Sequence, residues 1–305
     1  MPLTALLSSA PDLPQAVIDA LPMQLAVVDH DGTILRTNAA WMGFAAENGA
    51  PEGTDFVGVN YLHVCRASAH SSEDAAATAA ALREVLEGDR AHFVLEYPCH
   101  TPRAMRWFEL HLTPLEYAEG RGALVAHIDV TARKLAEQRL DQLAHHDELT
   151  GLPNVRQLRA RLDEAVGTPG TALLLFDLDR FKDVNDTDGH LVGDRVLQAV
   201  GAIVHEVALV PGAFCARQGG DEFAMLVPAG TTSTLAGHAE GLRLALRRGL
   251  ARVATTHAVT ASVGATPIVA GETATDAIAR ADAALYRAKA AGGDRAVVDP
   301  ATAPE

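Results

Sequence analysis

Arg217-Gln218-Gly219-Gly220-Asp221-Glu222-Phe223 joins two apolar runs, Ala213-Phe214-Cys215-Ala216 before it and Phe223-Ala224-Met225-Leu226-Val227 after it. Adjacent glycines tolerate φ > 0 and leave no side chain in a ligand's path. Strand, glycine turn, strand reads as a β-hairpin whose tip is bare of bulk and whose exit carries acid. Taken alone, the segment favours the plainer account, a Gly-Gly hairpin with solvated carboxylates behind it.

A second acidic stretch changes that balance. Residues 171–176 (Thr171-Ala172-Leu173-Leu174-Leu175-Phe176) form a continuous apolar run of strand length, expected to be buried on both faces. The run ends in Asp177-Leu178-Asp179-Arg180-Phe181-Lys182, followed by Asp183-Val184-Asn185-Asp186-Thr187-Asp188-Gly189-His190. Open α/β sheets hold ligands at the carboxyl ends of such strands. One Asp there reads as a helix cap. Two acidic strand ends in one domain suggest a divalent-metal site, because Mg²⁺ takes oxygen ligands and only one or two protein carboxylates.

Four motifs, in order, carry a family resemblance over roughly residues 140–298: 146–154 (His146-Asp147-Glu148-Leu149-Thr150-Gly151-Leu152-Pro153-Asn154), 176–194, 219–223 and 281–289. Gly219-Gly220-Asp221-Glu222-Phe223 resembles the signature of the GGDEF diguanylate cyclases, and the other three resemble that family's opening motif, metal and guanine segment, and terminal helix. The resemblance implies a nucleotidyltransferase that joins two GTP molecules into cyclic di-GMP with release of two pyrophosphates, assisted by Mg²⁺ or Mn²⁺ at a homodimer interface. It implies Asp177, Asp221 and the Leu178 carbonyl as metal ligands, with Glu222 beside them, and Asp221 with Glu222 as catalytic carboxylates, Asp221 the proton acceptor. Asn185 and Asp194 would read guanine, whose N1–H and N2–H₂ donors suit a carboxylate acceptor. His190 would touch ribose or base, or pack. Phe181, Lys182 and Lys289 would hold the phosphates, above the bare Gly219-Gly220 tip. Asp179 reads as a helix or turn cap.

Two departures from the family pattern stand out. The Arg expected four residues after Lys289 is Gly293, with Arg295 the nearest cation. The Arg-x-x-Asp that relatives use for product inhibition is replaced by Val210-Pro211-Gly212-Ala213, so no primary product-inhibition site is expected. The rival to the enzyme reading is a catalytically idle module that binds GTP or a partner. A His-Asp phosphohydrolase, suggested by His146-Asp147, lacks further ligands at suitable spacing.

Composition sets the outer bounds. A chain of 305 residues, 48% hydrophobic and 21% charged, has room for two globular domains. No apolar run approaches bilayer length and no secretory pattern opens the chain, so the cytoplasm is the expected compartment and no membrane partner is expected. A formal charge of −14 argues against nucleic acid and makes polyphosphate binding dependent on metal and local cations. Cys65, Cys99 and Cys215 are scattered and read as thiols in a reducing compartment.

The amino-terminal part alternates differently. Residues 1–13 read as a disordered extension, with 11–21 able to form a short helix. Strand-like runs at 23–28 and 33–38, helices at 39–47 (capped by Asn38) and 73–86, then strands at 91–97, 105–112 and 122–128 give an antiparallel sheet with helices. That order, over 14–131, resembles a PAS sensor domain, and 128–134 resembles its closing motif. The resemblance names no ligand, and His63, Cys65 and His70 read as surface or core fillers. Residues 132–147 are expected as a linker helix, in which Ala136, Leu140 and Leu143 are spaced for a short two-stranded seam or for docking. Beyond it come helices at 155–165, 193–207, 233–248 and 275–291, and strands at 172–176, 253–263 and 296–298. The expected architecture is thus two-domain, α+β then α/β: a PAS-like antiparallel sheet with helices (14–131), a helical linker (132–147), a nucleotidyl-cyclase-like α/β sandwich (148–300) and a tail (301–305).

Overall fold

Five short strands in the first part of the chain pair antiparallel, in the order β2-β1-β5-β4-β3. They are β1 (Gln24–Asp29), β2 (Ile34–Thr37), β3 (Phe93–Pro98), β4 (Trp107–Tyr117) and β5 (Gly120–Asp129). The computed structural model describes residues 13–70, 72–100, 104–118, 120–166, 170–207 and 212–300. The expectations for residues 1–12, for Val210 and Pro211, and for the 301–305 tail lie outside those residues. The chain divides into two units, Met1–Gln138 and Arg139–Glu305.

In the first unit α1 (Leu13–Asp19) precedes β1, and α2 (Ala39–Glu47), α3 (Tyr61–Ser68) and α4 (Glu73–Glu87) lie between β2 and β3. Asn38 starts α2 as its sequence position suggests, accepting from Trp41 N (3.0 Å) and also from Leu25 N (2.9 Å). Its amide donates to Ile18 O, Leu21 O and Met23 O, so one buried side chain meets five backbone groups. Leu62 and Cys65 of α3 and Leu82 and Val85 of α4 pack with Leu110, Leu112 and Val125 of the sheet.

A single helix, α5 (Thr131–His145), spans the division between the units and buries none of its residues. The second unit adds α6 (Val155–Val166), β6 (Thr171–Asp179), α7 (Phe181–Asp188), α8 (His190–Val207), β7 (Phe214–Gly219), β8 (Glu222–Pro228), α9 (Thr232–Leu250), β9 (Thr260–Pro267), α10 (Ala274–Ala290) and β10 (Ala296–Val298). Its sheet runs β10-β9-β6-β8-β7, antiparallel except for β10 against β9.

The central strand explains the layering. Successive strand residues face opposite ways. Leu174, Phe176 and Leu178 accordingly join Val196, Val200, Leu242 and Leu246 of α8 and α9 in one cluster. Leu173 and Leu175 join Leu158 and Leu162 of α6 and Ala281 and Leu285 of α10 in another. A continuous apolar run is what a strand covered on both faces requires, and each fully buried leucine contributes about 1.5–3 kcal/mol.

Two elements differ from the sequence expectation. Residues 253–259 are not strand: α9 runs to Leu250, and β9 begins at Thr260, where Asp179 of β6 offers the first partner. The expected helix at 193–207 starts earlier, at His190, and a separate α7 precedes it across Gly189. Among the described residues no helix is long and apolar enough to cross a membrane.

Candidate active site

Antiparallel pairing of β6 with β8 sets Asp177 opposite Glu222, one step beyond the pair Phe176–Phe223. Those two rings stack at 5.2 Å between centroids and 10° between planes on the opposite face of the sheet, where they join the α8–α9 core. Gly219 pairs with Glu222, which leaves Gly220 and Asp221 as the hairpin turn. Gly220 has φ +53°, and no atom lies within 4 Å of where a Cβ would sit on it or on Gly219. The tip is therefore open, and its backbone is one that favours glycine.

Arg217 fixes this tip. Its Nε and Nη2 donate to Gly220 O (3.0 and 2.7 Å), and its Nη1 donates to Asp147 Oδ1 and Oδ2 (2.9 and 3.1 Å). Asp147 also accepts from Thr150 N and Oγ1 (2.9 and 2.7 Å). Burial works to raise the Asp147 carboxyl, but the bonds from Thr150 and Arg217 outweigh it and hold the group below its usual range. Asp147, Thr150 and Arg217 lie inside or beside the motifs, but the sequence alone assigns them no task. The available signal was an Arg placed directly ahead of a side-chain-free turn that needs an anchor.

Asp177 is buried, and Lys289 of α10 reaches its Oδ1 at 2.7 Å. Burial is the main influence raising the Asp177 pKa; Lys289 opposes it, while the charges of Asp221 and Glu222 raise it further. One ammonium thus faces three carboxylates, and the site has surplus negative charge at the strand end. Among the described residues no three His, Cys, Asp or Glu side chains converge as a ready-made cation cage. That donor set fits Mg²⁺ or Mn²⁺ held by one or two carboxylates and completed by substrate oxygens. Leu178 lies one residue past the last β6–β8 pair, so its backbone has no strand partner on that side.

Asp179 has a different role from a cap. It accepts from Thr260 Oγ1 (2.7 Å), Ser262 Oγ (2.6 Å) and Asp294 N (2.8 Å), tying β6 to β9 and to the loop before β10. Arg180 follows with φ +58° and gives α7 no side-chain cap, so its side chain takes none of the first N–H groups of that helix, which begins at Phe181 and Lys182. Gly193 of α8 lies against Asn185 of α7, where a Cβ would come within 2.0 Å of Asn185 Oδ1. Asp194, next to Gly193, is exposed beside it, and His190 and Lys182 are also exposed. The structure therefore sets Asp177 against Lys289 and opposite Glu222, beside the turn that holds Asp221, and sets Asn185 with Asp194 on the adjoining helix pair.

Comparison with known proteins follows the same division. The family model described as "Diguanylate cyclase, GGDEF domain" matches residues 144–295, and "PAS fold" matches 18–135. The diguanylate cyclase DgcM of Escherichia coli K12 is 34% identical over 200 residues, 62% of this chain and 47% of that protein. The diguanylate cyclase DgcP of Pseudomonas aeruginosa is 41% identical over 174 residues, 53% of this chain and 24% of that protein. The chain thus spans less than half the length of either relative. The crystal structure of the coiled coil and GGDEF domain of DgcB from Caulobacter crescentus, in complex with c-di-GMP, has 32% identity and a TM-score of 0.50. It covers 55% of this chain and 93% of that one.

Proposed function

Since the chain belongs to the diguanylate cyclase GGDEF-domain family and carries a PAS-fold unit ahead of that domain, we propose that it condenses two GTP molecules into cyclic di-GMP. The observation that carries this reading is the Asp177–Glu222 pair beside Asp221 at a tip with open space above it. In the reaction a ribose 3′-hydroxyl attacks the α-phosphate of a second GTP, and pyrophosphate leaves. Asp177, Asp221, Glu222 and the Leu178 carbonyl would hold Mg²⁺ or Mn²⁺. When bound, the cation supplies charge neutralisation on the phosphates and a more acidic hydroxyl.

The chain's own groups do the rest. Asp221 takes the hydroxyl proton, and Arg217 holds the turn that carries it. The amides of Phe181 and Lys182 and the ammonium of Lys289 receive the triphosphate, while the Gly219-Gly220 tip leaves room for it. Asn185 and Asp194 accept and donate on the guanine edge, with His190 beside them; adenine would leave Asp194 without a donor. One domain holds one GTP, so two copies face each other as a homodimer, and the PAS-fold unit regulates their meeting. This reading places the protein in the cytoplasm, with no nucleic-acid or membrane partner.

Incubation of the whole chain with GTP and Mg²⁺, followed by chromatography, tests the proposal. Cyclic di-GMP and pyrophosphate are the expected products. GTP binding without product would replace the enzyme with an idle nucleotide-binding module.

A further inference from the structure

Asp177 and Asp179 lie two apart on β6, so both project from the face of the sheet that α6 and α10 cover. Their donors differ in kind. Asp177 receives the Lys289 ammonium, whereas the partners of Asp179 among the described residues are all neutral: the Thr260 and Ser262 hydroxyls of β9 and the Asp294 amide. A carboxylate that meets three short donors and no cation fixes the position of its neighbours.

The amide it holds belongs to an unusual residue. Asp294 has φ +47°, a left-handed conformation that a non-glycine residue keeps only where its surroundings over-determine it. Here they do. Asp179 takes its N–H, while buried Arg243 and exposed Arg247, both of α9, take its carboxylate. The turn just before it closes α10: Gly292 N donates to Lys289 O (3.0 Å) and Gly293 N donates to Ala288 O (3.2 Å). Gly293 also packs directly on the Asp179 carboxylate, which leaves no room for a Cβ. The helix end that carries Lys289 is thus seated on Asp179. The flexible stem of Lys289 gives its ammonium no direction of its own, so the backbone beneath decides what it meets.

We propose that Asp179 is a positioning residue: through the Asp294 amide it fixes the carboxyl end of α10, and so places the Lys289 ammonium against Asp177 and within reach of the triphosphate. The triphosphate half rests on the function proposed above; the Lys289–Asp177 half does not. The lysines of the chain are Lys134, Lys182 and Lys289, so ¹⁵N-lysine labelling resolves the group of interest. In the nucleotide-free full chain, the Lys289 ammonium should give a slowly exchanging NMR signal, assigned by its loss in Lys289→Met. Asp179→Ala should abolish that signal. Asp179→Asn keeps the volume but offers one acceptor oxygen to three donors, and should weaken it. Arg280→Ala, which unties the first half of α10 from Glu272 and Pro267, should leave it intact. With GTP as substrate, Asp179→Ala should raise KM about tenfold, the equivalent of one net hydrogen bond, with kcat within about twofold. Adding Lys289→Met to Asp179→Ala should raise KM no further, because both act through one ammonium. The proposal is overturned by a parent without the Lys289 signal, by a signal unchanged in Asp179→Ala or equally lost in Arg280→Ala, or by additive KM effects. A parent that makes no cyclic dinucleotide overturns the proposed function instead, and the ammonium signals alone then decide the role of Asp179.

Discussion

Asp177 is asked to do two opposed things, and the opposition can be measured. In the metal-free protein its carboxyl pKa stands above the ordinary value of 3.8, chiefly through burial, and the Asp221 and Glu222 charges add to the shift against Lys289. The folded state therefore holds this proton more firmly than the unfolded chain does. As pH rises from the unfolded value through the folded one, stability falls by this group's share, and the loss persists at neutral pH. Asp177→Asn removes the ionisation without changing the shape. Without metal, the variant should melt above the parent at pH 7, and the gap should close as pH falls below both the folded and the unfolded pKa, where both carry a neutral side chain. Its rate of cyclic dinucleotide formation should fall by about a hundredfold or more, as for loss of a group stabilising transition-state charge. A variant that melts lower at pH 7, or one that keeps its rate, contradicts this account.

The loop between α10 and β10 shows how an element limits what a residue can become. Gly293 stands where the family resemblance implies a phosphate-binding Arg, so an arginine placed there would be expected to improve substrate binding. The backbone opposes this. Gly293 has φ +74°, and a Cβ on it would meet Asp179 Oδ1 at 2.9 Å, the same carboxylate that binds Asp294 N. Gly293→Arg should therefore cost about 1–3 kcal/mol of stability and leave the Michaelis constant for GTP no lower. Thermal melts and initial-rate kinetics decide it. The same contrast describes what the sequence could disclose. Strand β6, the hairpin and Asn38 declare themselves through runs, glycines and a cap. Helix α7 does not, because Lys182-Asp183-Val184-Asn185-Asp186-Thr187-Asp188 lacks strong helix formers after its first residue and is held by Phe181 and Val184 beneath it. Residues 253–259 mislead in the opposite sense, since Val253 and Val259 suggest a strand where no neighbouring strand exists. The Asp147–Arg217–Gly220 tie joins positions 70 residues apart and only pairing reveals it.

At the scale of the whole molecule, α5 is the helix that leaves its spaced leucines exposed. Leu140 is 66% exposed and Leu143 40% exposed, both on a helix with no buried residue. At its start Arg133 and Lys134 pair with Glu96, and Arg133 also pairs with Glu109 and Glu137, so the helix is tied to the first unit's sheet through its first turn. Replacing both leucines with Glu should leave each chain's unfolding free energy within about 0.5 kcal/mol of the parent, as for exposed positions. Light scattering should then report a monomer, and the rate per protomer should fall steeply on dilution. An unchanged dimer or rate would assign the pairing elsewhere. Lys289 has a consequence at this scale too. It owns one positive charge and has two claimants, Asp177 at 2.7 Å and the triphosphate proposed to dock nearby. While the ammonium leans on Asp177, an incoming ion must compete with a tenant that never leaves the chain. Once nucleotide draws Lys289 away, the carboxylate is vacated for it. Magnesium and GTP should then be mutually dependent guests: calorimetry should find the ion bound feebly alone and at least about tenfold tighter beside a non-reacting GTP analogue. In Lys289→Met that interdependence should shrink, and a chain carrying a net −14 would no longer keep its own counter-ion in reserve.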